Sequence, residues 1–165
     1  MNLDSEDPRK VLFVVSCTKR KIWDEEAGAP RFVPARYAYR GEVFRKFIQW
    51  AERNMLEKRG FKWIILSAKY GFIEPWHPVS NYDITFEDEN TGPITAESLY
   101  NQVMFQNRWG KIKLKNFKRI IFFGSSKYRE KILRAFKDVQ AEIIDGFTGE
   151  ALKNKKEEEC LLRKL

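Results

Sequence analysis

Four short apolar runs constrain this chain most: VLFVV at Val11–Val15, WIIL at Trp63–Leu66, RIIFF at Arg119–Phe123 and AEIID at Ala141–Asp145. They are continuous and rich in β-branched and aromatic residues, as expected of strands covered on both faces. Segments with helical spacing lie between them. A pattern beginning near Ala35 puts Phe44, Phe47, Ile48, Ala51 and Met55 on one face, and Gly60 stops it. A second runs from about Thr95 to Trp109, marked by Leu99, Val103 and Gln106. A third, SKYREKILRAFKD, turns Tyr128, Ile132 and Phe136 inward with Ser126 as N-cap, and a last helix is predicted from Thr148. Buried strands alternating with helices predict βαβ units. The expected fold is α/β, a three-layer Rossmann-like sandwich around a mainly parallel four-stranded sheet. With right-handed crossovers the strand order is expected to be 2-1-3-4. The connections of the first and third strands then leave in opposite directions and open a crevice at the strand C-termini.

A length of 165 residues suits one α/β domain spanning 1–165, with the polar MNLDSEDPRK (1–10) as a loose arm. No apolar run reaches membrane-spanning length and Met1–Lys10 lacks the form of a signal peptide, so no membrane partner is expected and the cytoplasm is the default compartment. Cys17 and Cys160 make no disulfide framework, and His77 is the single histidine; neither a metal nor another cofactor is indicated. The net charge of +8 suits a nucleic-acid or other anionic partner, but it equally suits a basic surface, since many lysines alternate with glutamates as in KNKKEEEC.

In a parallel sheet all strand C-termini share one edge, so SCTKRK, SAKYG and GSSKY are expected in one neighbourhood. The small residues Ser16, Cys17, Thr18, Ser125 and Ser126 leave backbone N–H groups open, Gly124 allows close approach, and the helix that follows turns its positive end toward an anion. Lys19, Lys69 and Lys127 add charge; Tyr70 and Tyr128 offer a ring or a hydroxyl. The plainer reading makes the serines caps, the lysines solvated and Tyr128 a core residue. The Gly-x4-Gly-Lys spacing of a phosphate-binding P-loop is absent.

The stretch Lys69–Pro93 is long and irregular, the form of a lid or binding loop. Within it Asp83 is a candidate acid/base or cation-stabilising carboxylate for chemistry at a sugar carbon, with an Asx turn as the alternative. His77, between Trp76 and Pro78, reads as a packing residue. Cys17 beside Lys19, Arg20 and Lys21 would be an acidified thiol if exposed, but no partner is placed for it. Arg36, Tyr37, Tyr39 and Arg40 form an aromatic–basic patch that either guides a polyanion or caps the sheet.

Taken in order, VVSCTKRKIW, PARYAYRGEVFR, LSAKYGFIEP and NYDITF resemble a family of small prokaryotic proteins of unknown function. That family carries Ser-Cys-x-Lys-x-Lys, Ala-Arg-x-x-Tyr-x-Gly-x-x-Phe, Leu-Ser-Ala-Lys-Tyr-Gly-Leu and Tyr-Asp-x-Thr in the same sequence. The resemblance runs from Val11 to about Tyr128 and marks Ser16, Cys17, Lys19, Lys21, Arg36, Tyr39, Gly41, Ser67, Lys69, Tyr70, Gly71, Tyr82 and Asp83. More distantly, the chain is similar to the uracil-DNA-glycosylase-like domain of archaeosine synthase, an enzyme acting on a modified tRNA base. That implies a uracil-DNA-glycosylase-like fold with a nucleotide or nucleic acid at the strand edge. The Gly-Gln-Asp-Pro-Tyr and His-Pro-Ser loops of true uracil-DNA glycosylases are missing, and HPVS at His77–Ser80 stands elsewhere in the order. The expectation is a nucleotide- or nucleic-acid-binding protein acting at an N-glycosidic bond or on a base. A non-catalytic recognition module and a protein-interaction domain are the alternatives. The sequence does not set an oligomeric state.

Overall fold

The computed structural model describes residues 2–152. In chain order the elements are β1 (Val11–Ser16), α1 (Ile22–Glu25), β2 (Val33–Pro34), α2 (Ala35–Ala38), α3 (Glu42–Arg53), β3 (Lys62–Ser67), β4 (Gly71–Ile73) and β5 (Pro78–Val79). There follow α4 (Ala96–Phe105), β6 (Asn107–Arg108), β7 (Ile112–Lys113), β8 (Arg119–Phe123), α5 (Ser126–Ala135) and β9 (Glu142–Asp145). The central sheet has five strands in the order β4-β3-β1-β8-β9. The four strands expected from the sequence are neighbours in the order expected, all parallel. The fifth, β4, was not expected; it pairs antiparallel with β3 through Ser67↔Gly71, Leu66↔Phe72 and Ile65↔Ile73.

Continuous apolar runs form β1, β3 and β8 because both sheet faces are covered, and every residue from Val11 to Val15 is fully buried. On one face α3 presents Phe47, whose ring lies 5.3 Å from Trp63 and 5.1 Å from Phe123. On the other, Phe136 at the end of α5 meets Phe72 edge-on at 5.9 Å. Leu99 and Val103 of α4 are buried as the pattern predicts.

Several boundaries differ from the sequence reading. The helix expected from Ala35 is broken at Tyr39–Gly41, because Tyr39 pairs with Lys21 in a β-bridge. Met55 does not share the buried face: α3 ends at Arg53, and Met55 is exposed with φ of 51°. Gln106 is an exposed C-cap rather than part of an inward face. Ser125, not Ser126, occupies the N-cap position of α5. The expected loose arm instead lies against the fold: Leu3 is buried, Glu6 pairs with Arg119 at 2.8 Å, and Lys10 accepts from the amides of Lys118 and Arg119. The last helix predicted from Thr148 falls mainly outside the described residues; within them Ala151 is bridged antiparallel to Ile144.

The β3–β4 hairpin is what turns the chain back from the sheet edge. Gly71 has φ of 79°, in the left-handed region, and a Cβ there would collide with the Gln102 amide. That amide clamps the turn from α4, accepting from Phe72 N (2.8 Å) and donating to Tyr70 O (3.0 Å). Gly71→Ala is therefore expected to destabilise the protein by about 2 kcal/mol, from φ strain and loss of the clamp. Urea unfolding tests this, and unchanged stability would contradict it.

Candidate functional site

Parallel pairing brings the ends of β1, β3 and β8 to one rim. Ser16 stands level with Leu66 in register, the Cys17 amide donates to Leu66 O at 2.9 Å, and Gly124 follows Phe123 directly beside them. A Cβ at Gly124 would strike the Phe122 ring and come within 3.0 Å of the Ser16 Cβ, so this glycine lets the two strand ends close together.

The rim divides into two halves. On the β1–β3 side the loop after β5 sends Tyr82 inward. Its hydroxyl lies 2.7 Å from the Tyr39 hydroxyl and 2.9 Å from Ser67 Oγ. Ser67 Oγ also accepts from the amides of Lys69 and Tyr70, at 3.2 and 3.1 Å, fixing the turn into β4. Lys21 is only 3% exposed, an unusual position for an ammonium. Its Nζ donates to Tyr82 O (2.9 Å) and Lys19 O (3.1 Å) and sits 4.4 Å from the Tyr82 ring centroid. The Lys69 ammonium lies 5.7 Å from that same ring and 5.0 Å from the Tyr70 ring. Tyr70 meets Tyr82 edge-on at 5.8 Å, and its hydroxyl lies 3.3 Å from Ser80 Oγ.

The β1–β8 side is occupied by the protein itself. Phe86 is buried and packs edge-on against Tyr128 at 4.9 Å. The Tyr128 hydroxyl lies 3.5 Å from Cys17 Sγ and 3.4 Å from Thr85 Oγ1. Ser125 Oγ, at the N-terminus of α5, donates to Glu87 at 2.8 Å. The carboxylate attracted to this helix end is thus the chain's own. Ser126 and Lys127 are exposed beside it.

Burial pushes the phenols of Tyr39, Tyr82 and Tyr128 far above the ordinary tyrosine range, and the nearby Cys17 adds to the effect. Burial pushes the Lys21 ammonium down, and Lys19 adds to this, while Cys17, Asp83 and Asp24 oppose it. Burial also lowers His77.

Of the residues the sequence nominates, Ser16, Cys17, Lys19, Lys21, Ser67, Lys69, Tyr70 and Tyr82 meet on the rim. Asp83 follows Tyr82 with its side chain exposed. Thr18 is taken up structurally: its hydroxyl donates to Arg20 O (2.8 Å) and accepts from the Gly41 amide (3.0 Å), seating the start of α3. Gly71 is enclosed by Gln102. Arg36 turns away from the rim to Glu57, at 3.1 Å, and lies over Trp76. Sequence reasoning missed Gln102, Phe86 and Glu87, and gave no role to Thr85, the last residue of the Tyr-Asp-x-Thr motif. The alternation of Tyr82, Ile84 and Phe86 with polar residues is the one signal that this loop folds inward.

The chain is thus a mixed α/β protein with a mainly parallel five-stranded sheet and a lysine–tyrosine cluster at its rim. It belongs to a family of unknown function, DUF6884, matched over residues 12–157. It is similar to the uncharacterized protein YfjM of Bacillus subtilis (strain 168), with 33% identity over 121 residues, 73% of each chain. No solved structure matches it. Among the described residues no helix is long and apolar enough to cross a membrane.

The Tyr82 hydroxyl and Lys21 each generate a stability prediction. Tyr82→Phe leaves Tyr39 and Ser67 short of a buried partner and is expected to cost about 1–2 kcal/mol in chemical unfolding; no loss would show that the network carries no stability. Lys21 titrates below the 10.5 of an ordinary lysine when folded, so the unfolded chain holds its proton more tightly. Stability attributable to Lys21 therefore rises with pH from its depressed folded value up to 10.5. Wild type is expected to gain on Lys21→Met across that window, and a pH-independent difference would contradict the assignment.

Proposed function

We propose that the β1–β3 half of the rim binds the phosphate of a nucleotide, free or within a nucleic acid. One observation carries this reading. Lys21 and Lys69 lie by the Tyr82 ring and Lys19 adjoins Lys21, and among the described residues none of the three has a carboxylate within 4.0 Å. Like charges held together with no carboxylate in direct contact raise the free energy of the empty site, and a phosphate relieves it. Some cations elsewhere are paired across the fold, as Arg36 with Glu57 and Arg129 with Asp145; other exposed lysines are unpaired too, but Lys21 and Lys69 share one buried ring. Lys21 is the fixed member and accounts for the site's position; Lys19 and Lys69 are exposed and free to meet the ligand. Tyr70, half-buried beside Lys69, supplies a ring for a base. A uracil-DNA-glycosylase-like domain, which the sequence motifs resemble, would take a base-bearing ligand at this edge.

If the site performs chemistry, Asp83 is the group for it. Its carboxylate is exposed next to Tyr82, and its charge reaches Lys21. In this position it serves to stabilise positive charge developing at the sugar carbon of an N-glycosidic bond, or to activate a water there. A recognition module without turnover would use the same lysines and leave Asp83 idle.

Binding of nucleoside phosphates to the double variant Lys19→Ala/Lys69→Ala is expected to fall by roughly tenfold or more, with a shallower salt dependence. Affinity equal to wild type would remove the rim as the site. Asp83→Asn is expected to abolish release of base while sparing affinity. Wild type that binds but releases no base from nucleotides, DNA or RNA would decide for the recognition module.

A further inference from the structure

Two of the large aromatic side chains exposed on the surface meet each other, one from the turn after β4 and one from α2. Trp76 is 60% exposed and Tyr37 50% exposed, and they meet edge-on at 5.9 Å. Exposed rings of this size are informative, since burial of either would be favourable. Neither sits on a loosely held segment. The turn carrying Trp76 is closed by His77 N to Glu74 O at 3.0 Å. It is also fastened to the start of α2, where the otherwise unpaired amides of Ala35 and Arg36 donate to His77 O and Pro75 O, both at 2.8 Å. The Arg36 guanidinium lies 4.7 Å from the Trp76 ring centroid and is held there by Glu57 at 3.1 Å.

Ring contacts lead from the rim toward this pair. Tyr82 touches Tyr70 at 5.8 Å, Tyr70 touches His77 at 5.5 Å, and Trp76, the residue before His77 in the chain, touches Tyr37. Cations accompany the row, Lys69 at 5.0 Å from Tyr70 without a carboxylate partner and Arg36 over Trp76, where it is paired with Glu57. A row of ring faces interleaved with cations matches a ligand that repeats an aromatic base and a phosphate. A single nucleotide needs only the rim, and duplex bases are stacked on one another and present no free faces.

The geometry points to single-stranded nucleic acid as the ligand, with one nucleotide at the lysine rim and its neighbours stacked along His77, Trp76 and Tyr37. This rests on the rim being a nucleotide site, and it adds the polymer and its path. DNA and RNA share the chemistry that the row recognises.

The test measures binding of thymidine and uridine monophosphates and of oligothymidylate and oligouridylate about twelve nucleotides long. The proteins compared are wild type, Trp76→Ala, Tyr37→Ala, Trp76→Phe and the Lys19→Ala/Lys69→Ala double variant. Oligonucleotides are expected to bind at least tenfold more tightly than monophosphates. Trp76→Ala and Tyr37→Ala are expected to lose roughly tenfold for oligonucleotides and nothing for monophosphates, and Trp76→Phe to keep most of the affinity. The tighter of the two oligonucleotides identifies DNA or RNA. Oligonucleotides no tighter than monophosphates, or unchanged by the aromatic variants, overturn the inference while leaving the rim site standing. Loss on the aromatic variants with none on the lysine variant overturns the rim and keeps the strand-binding row. Absence of all binding overturns both. A dimer that Trp76→Ala dissociates, with oligonucleotide affinity unaltered, makes the patch a protein interface and also overturns it.

Discussion

The hydroxyl of Tyr82 joins three distant parts of the chain at one point. It reaches Ser67 at the end of β3 and Tyr39 in the break between α2 and α3, while its own carbonyl receives the Lys21 ammonium from the loop after β1. A phenol buried there is held neutral, and its bonds are worth more than they would be in water. The irregular stretch between β4 and α4 is thereby drawn onto the sheet edge instead of hanging over it. Lys21 has its position for the same reason: besides Lys19 O, a carbonyl and a ring face brought inward by this loop give the buried ammonium its partners.

That fastening gives the two halves of the rim opposite characters. Toward β8, Phe86 fills the space over Tyr128 and Glu87 satisfies the helix end at Ser125, so a positive end that could have attracted a ligand is already matched. Toward β3, the same loop contributes a ring and a carbonyl, and among the described residues no carboxylate touches the lysines, although the charge of Asp83 reaches Lys21. Charge pairing on one side and its lack on the other distinguish the proposed binding half more sharply than net charge does.

Much of the fold was legible because burial on both sheet faces writes itself into the sequence as unbroken runs; VLFVV and RIIFF admit little else. Their order followed from handedness and short connections. β4 was hidden because three residues, GFI, carry too little pattern, although a glycine placed five residues after Leu66 in SAKYG is the mark of a tight return. The helix from Ala35 looked continuous because apolar spacing says nothing of Tyr39 being needed in a bridge with Lys21. At the site, the lysines and tyrosines were visible as residue types. Partners such as Gln102 and Glu87 were not, because an amide or carboxylate declares its role only when tertiary contacts bring an acceptor or donor to it. Arg36 illustrates the converse: it belongs to a motif, yet Glu57 and Trp76 draw it away from the rim.

The most direct measurement of whether the lysines form an anion site is lysine-resolved NMR, with side-chain ammonium or methylated-amine signals followed during titration with a nucleoside monophosphate. Saturable shifts concentrated at Lys19, Lys21 and Lys69 are the predicted result. Shifts confined to lysines elsewhere, such as Lys131 and Lys137 on the α5 side, or signals that drift together with ionic strength alone, would contradict it.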